Sequence, residues 1–222
     1  MKNVLFSALV LFIVGCDLNL VNDNSKTANQ VAKYCGCNVL VSSKLTTKGN
    51  VIEIRMSFDE DYDFKGIPVE VIAAGASKVA MKELGDKEET TFKSTVSAGS
   101  KEMSMSYTTS KIKEIDPYFA RSNDLMNFLK KGEIDKLLQE INRDIITEDD
   151  SVLVNLFSMV HDKSIFGWEE FGWITEKIEI DDEERDLVSC VFKIVYNDDD
   201  KFVSRLSYLK DDKEKELVGF SF

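Results

Sequence analysis

Residues 187–196 alternate strictly, with Val188, Cys190, Phe192, Ile194 and Tyr196 on one side of an extended chain and Leu187, Ser189, Val191, Lys193 and Val195 on the other. Successive strand residues point to opposite faces, so this run predicts a strand with one wholly apolar face. Three further strand-like runs surround it, at 173–180, 202–209 and 217–222, separated by acidic stretches at 181–184, 197–200 and 211–214. Connections this short leave only antiparallel neighbours. The C-terminal third of the chain is therefore expected to form a curved, four-stranded antiparallel sheet that must cover its apolar face. Helical spacing at 125–141, with Asn123 or Asp124 as N-cap, and at 150–161 supplies the cover. Leu137, Leu138, Leu153, Leu156 and Phe157 are expected to meet the sheet.

The first half has its own pattern. Residues 37–45 and 51–58 alternate around Lys48-Gly49-Asn50, and 91–96 and 102–108 do so around Ala98-Gly99-Ser100. Each pair predicts a hairpin. Between them, 69–84 carries apolar residues at helical spacing, with Pro68 ahead and Gly85 behind. The fold class expected is α+β: an N-terminal β-β-α-β-β layer over 28–116 and a second unit over 117–222 in which helices pack on the antiparallel sheet. Asp116-Pro117 is the expected boundary.

The N-terminus carries a different signal. Lys2 precedes an apolar stretch over 4–14 broken only by Ser7. A positive start, a short apolar core and small residues at its end are the layout of an export signal. A span needs about 20 apolar residues, and this stretch falls short. It closes on Ile13-Val14-Gly15-Cys16, which resembles the lipobox of bacterial lipoproteins. That resemblance implies a signal peptide over 1–15, cleavage before Cys16, and diacylglycerol and fatty acyl chains such as palmitate on that cysteine. It places the domain on the extracytoplasmic side of the cell envelope, anchored to a membrane by lipid. Residues 16–27, polar and Asn-rich at first, are expected to be the tether.

Over 118–222, the order of helices and meander, Phe166-Gly167-Trp168 ahead of the first strand, and the ending Val218-Gly219-Phe220-Ser221-Phe222 resemble the nuclear-transport-factor-2-like, or cystatin-like cone, domains. The resemblance implies a curved sheet wrapped on helices around a conical pocket, and it carries over no catalytic residue. Phe166, Trp168, Phe171 and Trp173 are the residues expected to line such a pocket if they do not fill the core.

Other groups were weighed for chemistry. Cys35-Gly36-Cys37 is compatible with a structural bridge from either thiol to Cys190, with buried unpaired thiols, or with redox or metal chemistry. The first two readings lead, since no thioredoxin-like context surrounds the pair. Asp59, Asp61, Asp63 and Glu70 have calcium-loop spacing, but Phe64 stands where the loop needs glycine, which predicts a solvated turn. His161 is the only histidine, which excludes His-clustered zinc, and neither metal nor cofactor is expected. A net charge of −12 without a basic stripe disfavours nucleic acid. The reading is a membrane-anchored, non-catalytic module that binds a protein or a small apolar ligand. The alternative is an envelope enzyme using His161 or a buried acid as base.

Overall fold

The computed structural model describes residues 24–47, 49–62, 64, 66–85, 89–180, 182–196 and 201–222. In chain order the elements are α1 (Ser25–Cys35), β1 (Asn38–Thr46), β2 (Gly49–Phe58), α2 (Val69–Leu84), β3 (Thr90–Ala98), β4 (Lys101–Thr108), α3 (Thr109–Lys131), α4 (Ile134–Gln139), α5 (Asp150–Asp162), β5 (Ile165–Ile180), β6 (Glu183–Tyr196), β7 (Lys201–Leu209) and β8 (Leu217–Ser221). The architecture is α+β, with two four-stranded sheets ordered β1-β2-β3-β4 and β5-β6-β7-β8.

In the first sheet both expected hairpins form, and β2 pairs with β3 in parallel. A parallel neighbour needs a crossover of a dozen or more residues, and α2 provides it. This helix is buried on every side from Val71 to Lys78. A helix apolar all round belongs inside a molecule, and α2 lies between the two sheets. Toward the first, Ser77 Oγ lies 2.9 Å from Ser94 Oγ of β3. Toward the second it packs on β5, the edge strand, at a bulge between Glu170 and Gly172. A Cβ on Gly75 would collide with the Phe171 carbonyl, and one on Gly172 with the Val71 carbonyl. The missing side chains let helix and strand backbones touch, so α2 also covers an otherwise open sheet edge.

The second sheet is the expected antiparallel meander. Val188, Cys190, Phe192 and Ile194 are fully buried, on the face predicted for them. Against that face α3 brings Phe119, 5.7 Å from Phe192 between ring centres, and Ser122, whose hydroxyl is 2.7 Å from that of Tyr208. Phe157 of α5 meets Phe220 of β8 at 5.1 Å. Burying each such aromatic contributes about 2–3 kcal/mol. Buried residues of both sheets join in one apolar cluster.

Four details differ from expectation. Asp116 and Pro117 lie inside α3, which runs unbroken from Thr109. An interior proline costs about 3 kcal/mol. Here it is outweighed by the stripe Ile112, Ile115, Phe119, Met126 and Leu129, all buried at helical spacing. Second, the run 125–141 is two helices, because Gly132 adopts a left-handed conformation and its N–H closes on the Leu129 carbonyl. Third, α1 starts at Ser25, inside the stretch read as tether, because Thr27, Val31 and Cys35 form a buried stripe. Finally, Leu156 stays 36% exposed, on the outer side of α5 with Val152 and Met159. No described helix is long and apolar enough to cross a membrane. Cys16 and the signal-like stretch lie outside the described residues.

Candidate ligand groove

A groove of about 370 Å³ opens where α1, the loop after β2, and the bulged part of the second sheet meet. Its lining includes the side chains of Tyr34, Tyr62, Phe64, Ile72, Phe171 and Phe202, although more of the surface exposed in it is polar than apolar. Lys33, Glu169 and Lys193 add charge at its wall. No single element could build this surface. The last turn of α1 presents Tyr34, the β5 bulge turns Phe171 into the groove, and the short loop between β2 and α2 folds back on itself. That loop is held by rings, with Phe58–Tyr62, Phe58–Phe64 and Tyr62–Phe64 centres 4.5, 5.2 and 5.0 Å apart.

Tyr34 ties the walls together. Its hydroxyl donates to the Phe171 carbonyl, an edge-strand acceptor left without a strand partner, and the two rings lie 5.1 Å apart. Burial pushes the Tyr34 phenol well up, so it remains a neutral donor. On the other side of Phe171 the Lys193 ammonium sits 3.8 Å from the ring centre, a cation–π contact. Lys193 also lies opposite Glu169 across the β5–β6 ladder.

At the foot of α1, Cys35 lines the groove, and Cys37 lies half-buried in a separate hollow beside Ser57 and Asp59. The Cys35 thiol donates to the Ala32 carbonyl at 3.9 Å. The neighbouring Cys37 thiol pulls Cys35 below the usual thiol value against the opposing effect of burial, with Lys193 assisting. Cys35 and burial together push Cys37 far up. All three described cysteines are free. Cys190 points away from the groove, toward Ser122, and burial pushes its thiol up to about 12.

Behind the groove lies a charged cluster. Lys78 of α2, buried among apolar neighbours, places its ammonium 3.0 Å from Glu170, 3.1 Å from Asp116 and 3.7 Å from the Phe119 ring centre. Asn123 donates to Glu170 at 2.9 Å and accepts from the Trp168 indole at 2.8 Å. Burial alone would push the Glu170 carboxyl up, but Lys78 and Asn123 together hold it below its ordinary range. Glu170 is thus an ionised, fully engaged carboxylate. The cluster joins α2, α3 and β5.

The four aromatic residues read from the sequence as a core plug or, failing that, a pocket lining are separated. Phe166 is 71% exposed, Trp168 is bound to Asn123, and Trp173 is buried between Tyr107 and Phe119 at 5.4 and 6.4 Å. Only Phe171 reaches the groove. Trp168 pairs with Ile194 and Trp173 with Cys190, so the extra residue at Phe171 leaves both indoles on the α3 face of the sheet and turns Phe171 alone into the groove. His161 lies elsewhere, with Nδ1 3.1 Å from the Leu129 carbonyl and its ring against Gly132. A carbonyl can only accept, so Nδ1 carries the proton, and the ring seals the end of α3. Among the described residues no three acidic, thiol or imidazole groups are placed to hold a metal ion.

Lys78, Tyr34, Tyr62 and Lys193 were not singled out by sequence reasoning. One signal was available for Lys78: it is the single charge in the otherwise apolar or small run 71–81. The groove residues carry no comparable mark. Comparison with known proteins finds no family model, no curated protein and no solved structure that matches this chain.

Proposed function

We propose that this chain is a lipid-anchored protein of the bacterial cell envelope that takes a small apolar ligand with a polar end into the groove beside Phe171. The observation that carries this reading is the groove itself. Pockets for small molecules are concave and combine apolar walls with polar groups that fix orientation. A volume of about 370 Å³ falls in the range such ligands need, and Lys33, Glu169 and Lys193 place charge in its wall, where a polar end would lie. The lipobox-like Ile13-Val14-Gly15-Cys16 supports the anchor and the location. Several acyl chains on Cys16 would hold the domain firmly, at roughly 0.8 kcal/mol per buried methylene.

Binding is tested with N-phenyl-1-naphthylamine, an apolar dye that brightens on leaving water, titrated into the full-length protein. Tyr62 and Phe202 are 42% and 41% exposed, so removing either ring spares the core. Tyr62→Ala and Phe202→Ala are each expected to weaken dye binding by about three- to tenfold, the value of a partly buried ring. Phe166→Ala, an exposed ring away from the groove lining, is expected to change nothing. Equal affinity in all four proteins would remove the groove as the binding site.

A further inference from the structure

We propose that Cys35 and Cys37 form a dithiol oxidised by hydroperoxides, in which Cys35 attacks, Cys37 resolves, and a disulfide closes across Gly36. The geometry permits the bridge. Cys35 ends α1, and Gly36, at φ 70° and ψ 31°, turns the chain so that Cys37 comes back beside it. Three consecutive Cα atoms span at most about 7 Å when extended, and a left-handed middle residue shortens that into disulfide range.

The two thiols have unequal surroundings, which is what an attacker and a resolver need. Cys35 lines the groove, its thiol donating to the Ala32 carbonyl at 3.9 Å, and the Cys37 thiol and the Lys193 ammonium both favour its thiolate. Cys37 holds its proton and sits half-buried in the neighbouring hollow. Only 6% of Cys35 is exposed, so the oxidant must be small. A hydroperoxide can enter through the groove where a protein disulfide cannot. Cys190 is an internal control: it is fully buried, on the face of β6 opposite Lys193.

In the first step the Cys35 thiolate attacks one peroxide oxygen. A sulfur–oxygen bond forms as the oxygen–oxygen bond breaks, Cys35 gives up two electrons, and the departing alkoxide or hydroxide takes a proton. The Cys37 sulfur then attacks that of Cys35. The sulfur–sulfur bond forms, the sulfur–oxygen bond breaks, and hydroxide leaves with the Cys37 proton as water. Overall, two thiols and one hydroperoxide give one disulfide, one alcohol or water, and one water. The step uses the groove only as an opening and is independent of what the groove binds.

The test uses full-length protein carrying Cys16→Ser, so that no other exposed thiol competes, treated with stoichiometric hydrogen peroxide. The expected product has lost two hydrogen atoms in intact mass, with peptide mapping linking Cys35 to Cys37 and with Cys190 alkylated after unfolding. In Cys37→Ser, dimedone is expected to trap a sulfenic acid on Cys35. Lys193→Met is expected to slow oxidation by about three- to tenfold through loss of thiolate. Oxidation of Cys35 no faster than that of Cys190 would overturn the proposal, as would dimedone adducts on Cys37 with Cys35 unmodified in the parent protein.

Discussion

The Lys78 ammonium lies 3.0 Å from the Glu170 carboxylate, and through that contact the central helix, the long helix α3 and the first strand of the second sheet are held together. Asp116 and Asn123 approach the same two groups from α3. A buried pair of this kind contributes little compared with apolar replacements of both partners, but losing one partner strands the other. Lys78→Met is expected to lower stability by about 2–3 kcal/mol, read from urea midpoints. Glu170→Gln added to it is expected to cost much less than it does alone. Additive losses would mean that the contact is not energetically coupled.

The same pair sets a pH dependence. Because the folded protein holds the Glu170 carboxyl below its ordinary value, its contribution is complete above the unfolded pKa and is lost as pH falls through the folded one. Glu170→Gln is therefore expected to carry its full penalty near pH 7 and to lose it progressively as pH falls below the ordinary carboxylate range. Urea midpoints measured across that interval check the sign. A penalty that grows on acidification would contradict it.

Gly75 and Gly172 should be intolerant positions. A methyl group at either meets backbone, which cannot rotate aside, whereas one at Gly167 meets nothing within 4 Å. Gly75→Ala is expected to cost roughly 3 kcal/mol, the upper end of overpacking, despite the gain in helix propensity. Gly167→Ala should change stability by less than about 0.5 kcal/mol. Thermal or urea melts of the two proteins side by side give the comparison, and equal melts would refute the close helix–strand contact.

Lipid attachment is separable from all of this. Metabolic labelling with a tagged fatty acid is expected to mark the wild-type chain in membranes, while Cys16→Ser takes up none and leaves the membrane fraction or retains its leader. Labelling of the variant would exclude the lipobox reading of Ile13-Val14-Gly15-Cys16.

The legible part of this fold was the part governed by local periodicity. Alternation in β6 identified the buried face, including Cys190 and Phe192, because a period of two leaves no choice of side once one face is apolar. Pro68 and Gly85 bounded α2 for the same local reason. Pro117 misled because its helix-breaking tendency is a small local cost, and Ile112, Ile115 and Phe119 repay it only through packing. The parallel joining of β2 to β3 was hidden in a similar way: both hairpins read correctly without revealing how they associate. The groove was the least legible feature. Its walls come from α1, the loop after β2, and the bulge in β5, and a bulge is one extra residue without a composition signal of its own. Sequence reasoning therefore left Phe166, Trp168, Phe171 and Trp173 as one aromatic cluster, core plug or pocket lining, and the structure divides them among solvent, the α3 side of the sheet and the groove.

The most direct test of the binding account is to find where an apolar ligand rests. Full-length protein is irradiated with a diazirine-bearing alkyl probe, and the adducts are mapped by peptide mass spectrometry. Adducts on Tyr62, Phe64, Phe171 and Phe202 are predicted, competed away by N-phenyl-1-naphthylamine. Adducts confined to Phe157, Phe220 and Phe222, on the α5 side of the second sheet, would contradict the groove and point to the helix-covered face in its place.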